Sequence, residues 1–222
     1  MEHVGAGWEE SEAAGIPQAV PQRDRDCATR RKILRVAAKL SGKRGYAACQ
    51  IARVAQAAGL APGTIYRHFA NRQSLLDEVM AISGAQLASV MLKQARNACD
   101  LKAMEYALLV AAFDCLAADP ALLRILREAE TQTASAFVRY LTSIITAHMR
   151  LIRSSTFATC YDHVPDADLE ELVTMLTGIR MHMLLHATDF ERCTSEDCES
   201  IAAVYVKLLG RGLMREAVAT TL

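Results

Sequence analysis

Residues 58–76 read AGLAPGTIYRHFANRQSLL, and the way the chain must turn through them decides the fold. Gly59 is placed to close one helix with a left-handed cap. Pro62 follows where the next helix begins, a position at which its missing N–H costs nothing. At about 100° per residue, Ile65 and Phe69 share one face of that short helix and must pack inward. Gly63, Thr64 and Arg67 cluster opposite, and Tyr66 and His68 lie on the flanks. A small polar face with hydrogen-bonding flanks suits the major groove of DNA, the flanks reaching phosphates on either wall. Gly63 allows close approach, and the Arg67 fork matches a guanine edge. As ordinary structure, Tyr66 would be core filler and His68 a cap; taken as an isolated pair, that reading is the better one. The neighbouring sequence decides against it.

Upstream, a helix over about Thr29–Lys43 turns Ile33, Leu34, Ala37, Ala38 and Leu40 inward and spreads Arg31, Lys32, Arg35 and Lys39 outside. Gly45-Tyr46 ends it, and a second helix runs from about Cys49 to Ala58. Its exposed Arg53 and Gln56 are placed to touch phosphates or a base edge. Between Arg23 and Arg72 there are twelve basic residues and two acids, a surplus of ten positive charges. The chain as a whole is neutral, so the rest carries the opposite surplus. A basic module on an acidic body is the electrostatic footprint of a nucleic-acid binder.

Residues 30–79, RRKILRVAAKLSGKRGYAACQIARVAQAAGLAPGTIYRHFANRQSLLDEV, resemble the DNA-binding domain of the TetR family. The resemblance implies an all-α fold: a three-helix helix-turn-helix domain followed by a helical ligand-binding and dimerisation domain. It implies that Thr64, Tyr66 and His68 bind phosphates, and that Arg72, standing where lysine is usual, does so from the start of the fourth helix. Two positions depart from the family pattern. Ala61 replaces the usual Ser or Thr cap of the recognition helix, and Gln50 the usual Thr near the start of the second. The domains expected are a disordered acidic tail over 1–26, the helix-turn-helix over 27–73 and the helical body over 74–222.

In the body, helices are expected at about 74–97, 100–118, 120–130, 134–153, 167–188 and 196–218, with Asp119-Pro120 and Thr194/Ser195 as start signals. The resemblance implies a homodimer paired through the last two long helices. Leu172, Met175, Leu176, Ile179 and Met183 mark the first of these, with Gly178 permitting close approach. Ile201, Val204, Tyr205, Leu208 and Leu209 mark the second. Such stripes are as often internal core. Two-fold symmetry favours the dimer, since it sets two recognition helices about 34 Å apart on a palindromic double-stranded operator.

The resemblance also implies a pocket for a small apolar or amphipathic ligand. Met104, Tyr106, Phe113, Phe137, Tyr140, Met149, Met175 and Met183 are candidates to line it, each weighed against plain core packing. Arg139 or Arg180 would bind an acidic ligand or, more simply, form an internal ion pair. The function expected is that of a transcriptional regulator, a repressor released by ligand. The alternative is a DNA-binding protein whose body is an interaction platform without effector.

Other classes find little support in the sequence. There is no nucleophile elbow, phosphate loop or HExxH, so neither enzyme activity nor a cofactor is expected. His182 and His186, four apart, with Cys193 and Cys198 following, are read as core or interface residues rather than metal ligands. Seven scattered cysteines suit a reducing cytoplasm, and Cys27 and Cys49, beside the basic module, are the better redox candidates. No run of about eighteen uncharged apolar residues predicts a membrane span.

Overall fold

The computed structural model describes residues 22–154, 158, 164–187 and 194–211. These form nine α-helices: α1 (Gln22–Arg44), α2 (Ile51–Ala58), α3 (Pro62–His68), α4 (Arg72–Ala95), α5 (Leu101–Ala118), α6 (Pro120–Gln132), α7 (Ala134–Ser154), α8 (Asp166–His182) and α9 (Ser195–Arg211). A 3-10 turn, Tyr46–Ala48, joins α1 to α2, and α8 continues as a short π-helical segment, Met183–Ala187. Among the described residues there is no strand.

The start and stop signals act as their chemistry requires. Gly59 closes α2 in the left-handed region, at φ 62°, and Pro62 occupies the first turn of α3. Asn71 and Ser74 form a reciprocal capping box at the start of α4. The Asp119 carboxylate accepts from the Leu122 amide at 3.0 Å, and Thr194 and Asp197 bond reciprocally ahead of α9. Ala61 and Gln50 stand at the N-caps of α3 and α2 without a side-chain cap bond.

Helix α1 corrects the expected boundary. It begins at Gln22, so residues 22–26 are helical rather than part of a disordered tail. The alternating Arg and Asp of RDRD carry no helix breaker, and the absence of apolar periodicity, on which the expected tail rested, does not forbid a helix. Residues 1–21 lie outside those described, as do Cys160 and Cys193.

Two cores result. Ile33, Leu34, Ala37, Val54, Ala55, Ile65 and Phe69 pack on Leu75, Leu76 and Val79 of α4 and on Ile125 of α6. Met80, Leu87 and Met91, further along α4, enter the larger core built by α5 to α9. Helix α4 is long and apolar enough by composition to cross a membrane, but its buried apolar residues form a wall shared by both cores, while Ile82 and Val90 are exposed.

The N-terminal module, α1 to α3, is fastened to the body by α6. Gly42 of α1 lies so close to Ala121 that an added Cβ would meet the alanine Cβ at 2.5 Å. Arg124 donates to the Lys43 carbonyl at 2.7 Å, and the Tyr46 amide donates to Glu128 at 2.8 Å. From the other side of α6, Arg127 donates to the Leu185 carbonyl in the π segment at 2.7 Å.

Candidate nucleic-acid interface and body cluster

Helix α3 is held by its apolar side. Ile65 and Phe69 are buried, while Gly63, Tyr66 and Arg67 are exposed and Thr64 and His68 half-buried. Tyr66 is 56% exposed, which removes it from the core and leaves its hydroxyl on the surface. A Cβ added at Gly63 would meet nothing within 4 Å, so the outer face is open to a partner. On α2, Arg53 and Gln56 are also exposed. Arg53 and Arg67 have no ion pair among the described residues.

Arg72 has a use beyond the one the resemblance implies. Its Nε donates to the Cys49 carbonyl at 2.9 Å and a terminal nitrogen to the Tyr46 carbonyl at 2.6 Å. These bonds tie the start of α4 to the turn before α2, a structural role in addition to the one the resemblance implies. Arg72→Ala should therefore destabilise the fold by about 1–3 kcal/mol, since it removes two part-buried hydrogen bonds, although the Tyr46 carbonyl keeps its bond from the Cys49 amide. Urea unfolding reads that cost directly; an unchanged midpoint would return Arg72 to the surface role.

Sequence reasoning missed the brace beside α3. Arg30 stacks its guanidinium 4.9 Å from the centre of the Phe69 ring and pairs with Glu78 of α4. Cys49 is buried, and burial pushes its thiol up, the opposite of an activated redox cysteine. Cys27 is exposed and its sulfur accepts from Arg31 at 3.2 Å.

The body contains a polar cluster that only Arg180 announced in the sequence. Arg180 is fully desolvated and donates one terminal nitrogen to Glu105 of α5. The other donates to Thr177 at 3.0 Å and lies 3.3 Å from His148 Nδ1. Tyr205 of α9 donates to the same Glu105 carboxylate at 2.7 Å. His148 Nε2 stands 3.1 Å from Glu105 Oε1, a contact of ion-pair length without hydrogen-bond alignment. Burial pushes the Glu105 carboxyl up, but Arg180, with His148 and Tyr205, overrides it and holds the group at about 2. Burial pulls His148 down and outweighs the pull of the nearby Glu105 carboxylate, which favours the neutral ring. The internal ion pair is thus the role Arg180 takes, whereas Arg139 is exposed.

Of the expected pocket residues, Met104, Phe113, Phe137 and Tyr140 are packed core, and Met149 and Met183 are half-buried against it. Met175 is corrected outright: it is 51% exposed and faces away from the body. The apolar content of α5 and α7 is consumed by helix packing, which leaves a cavity of about 10 Å³ lined by Ala88, Met91, Leu92, Leu108, Ile144, His148 and Arg180. Tyr106 instead borders a surface groove of about 650 Å³ between α4 and α5.

Met175 and Ile179 on α8 and Val204 and Leu208 on α9 are exposed apolar side chains, with Leu208 65% exposed. Gly178 lies among them with nothing within 4 Å of an added Cβ. Leu176, Tyr205 and Leu209 of the same two stripes are internal core. His182 and His186 stack with ring centres 5.5 Å apart, and His186 stands 3.5 Å from Glu130.

Residues 33–79 match the profile of a family described as bacterial regulatory proteins, tetR family. Among solved structures, a TetR-family transcriptional regulator from Pectobacterium atrosepticum is 23% identical with a TM-score of 0.67, over 87% of this chain and 97% of that one. The fatty acid degradation regulator FadR from Bacillus halodurans is 20% identical with a TM-score of 0.64, over 82% and 94%. The transcriptional regulator FadR from Bacillus subtilis, solved in complex with stearoyl-CoA, is 18% identical with a TM-score of 0.63, over 81% and 96%. No curated protein matches the chain in sequence.

Proposed function

We propose that this protein, whose N-terminal module is that of the TetR family of bacterial regulatory proteins, is a sequence-specific, homodimeric transcriptional repressor released from its operator by a small molecule. The observation that carries the reading is the open face of α3: Gly63, Tyr66 and Arg67 turned outward on a helix locked from behind by Ile65 and Phe69. The twelve-to-two excess of basic residues in the same module supplies the sequence-independent attraction to phosphates. The exposed apolar side chains of α8 and α9 support pairing of two copies, which would present two recognition helices to one palindrome.

Release by a ligand is supported by the route through α6. A shift of the π segment moves Leu185, hence Arg127, and α6 carries Arg124 and Glu128 against the end of α1 and Tyr46. A ligand uses that route only to the extent that it binds one arrangement better than the other. The second reading, a DNA-binding protein whose body is a platform without effector, draws on the small size of the cavity.

Selection of bound sites from random DNA, followed by titration at two salt concentrations, tests the proposal. A palindromic site with a steep salt slope supports it; no enrichment sinks it. On the selected site, Arg67→Ala should cost about 1–3 kcal/mol and relax preference at one position of each half-site. Equal losses on every sequence would remove Arg67 from base readout. Tyr66→Phe should weaken binding to all sequences alike, a loss of about 0.5–1.5 kcal/mol for one hydrogen bond. Unchanged affinity in a gel-shift titration would take Tyr66 off the phosphates.

A further inference from the structure

The cavity between α4, α5, α7 and α8 has walls of two kinds. Ala88, Met91, Leu92, Leu108 and Ile144 are apolar; His148 and Arg180 are polar and fully desolvated. The charges in the adjoining cluster already balance. Arg180 is matched by Glu105, and His148 is neutral, its Nδ1 turned toward a guanidinium nitrogen that can only donate. Thr177 and Tyr205 add hydrogen bonds and no charge. Three buried polar atoms of the cluster lack an aligned hydrogen bond: His148 Nε2 and Glu105 Oε1, which face each other at 3.1 Å, and the donor Arg180 Nε.

We infer that this cavity seats the polar end of a neutral, otherwise apolar effector, with a carbonyl-type oxygen accepting from Arg180 Nε, and that it discriminates against carboxylates and amines. The inference rests on reading the body as an effector domain and specifies the chemistry of that effector. An ionised head would add a net charge to a cluster that is neutral and dry, a cost of desolvation with no counter-ion to offset it. A ketone, ester or amide oxygen accepts from Arg180 Nε and leaves the Glu105–Arg180 pair intact. At about 10 Å³ the cavity holds no more than a water molecule, so an effector must open it. Met91, flexible and polarisable, and the half-buried Leu92 are the walls best able to move. Arg180 stands one turn before the π segment, so such an opening acts at the root of the α6 connection.

The test uses the full-length protein without DNA and four eight-carbon probes: 2-octanone, octanoate, octylamine and octane. Binding is followed by thermal shift and calorimetry. The expected result is that 2-octanone binds roughly tenfold or more tightly than the other three. Arg180→Lys, which keeps the charge opposite Glu105 but lacks Nε, should erase that preference. Should this variant fail to fold, Leu92→Phe, which fills the cavity from its half-buried edge, should abolish 2-octanone binding instead. Octanoate or octylamine binding as tightly as the ketone would overturn the inference. So would octane matching it, or no probe binding at all, in which case the cavity is a water site. Because DNA is absent, these outcomes stand apart from the regulatory reading. Ketone binding that leaves operator affinity unchanged would count against release by ligand and not against the cavity's chemistry.

Discussion

Glu105→Leu should lower the stability of the folded protein by about 3–5 kcal/mol, one of the largest effects available from a single side chain here. The reason is what it leaves behind. Arg180 stays desolvated, without its counter-ion, and Tyr205 and His148 lose the acceptor they share. Replacing both Glu105 and Arg180 with methionine should recover most of the loss, because apolar residues of similar volume need no partner. Urea titration of the single and double variants reads the difference. A single variant within 1 kcal/mol of the parent, by the usual scale of surface substitutions, would mean the pair is not desolvated in solution.

The same cluster sets a sign for acid. Glu105 titrates at about 2 in the fold, well below an unfolded carboxyl, so its contribution is present above the unfolded value and is lost as pH falls toward 2. His148 is also held below its unfolded value, so the unfolded chain takes up a proton first and stability begins to decline below about pH 6.5. Both slopes run the same way. The double methionine variant should lose the lower part of that dependence.

Gly178→Arg should turn the proposed dimer into a folded monomer and reduce affinity for the proposed operator on the order of 10²–10⁴-fold, the gain that two linked modules have over one. The glycine faces open space, so an arginine there does not strain the protomer. It would instead set an uncompensated charge among Met175, Ile179, Val204 and Leu208, where a second copy is proposed to sit. Sedimentation reports the mass and circular dichroism the fold. A variant that stays dimeric would place the interface elsewhere, whatever its DNA affinity.

Local signals in the sequence were read well because their chemistry is local. Gly59, Pro62, Asn71 and Asp119 each control a turn or a cap within four residues, and each does so in the structure. The outward face of α3 was legible for the same reason, since helical geometry alone separates Ile65 from Arg67. Burial over long range was not legible. A helical stripe does not say which of its members meet another helix, so Met175 and Met104 looked alike, although one is exposed and the other is core. Glu105 did leave a trace, as a lone acid ahead of the apolar run ALLVAAF, and His148 likewise within IITAHMRLI. Neither names its partner, because Glu105 and Arg180 are 75 residues apart. Arg72 illustrates a different limit: a family's role for a position does not foresee that two nearby carbonyls will claim the side chain.

The contact of Gly42 with Ala121 has a consequence for engineering chimeras. An N-terminal module exchanged at the start of α4 would bring a foreign residue against Ala121, at a spot with no room for one more carbon. A graft cut by sequence similarity alone would then fold with its two halves wedged apart, or not couple at all. Exchanges that carry α6 along with α1, or that keep glycine at 42 and alanine at 121, are the ones expected to yield hybrids in which both cores close.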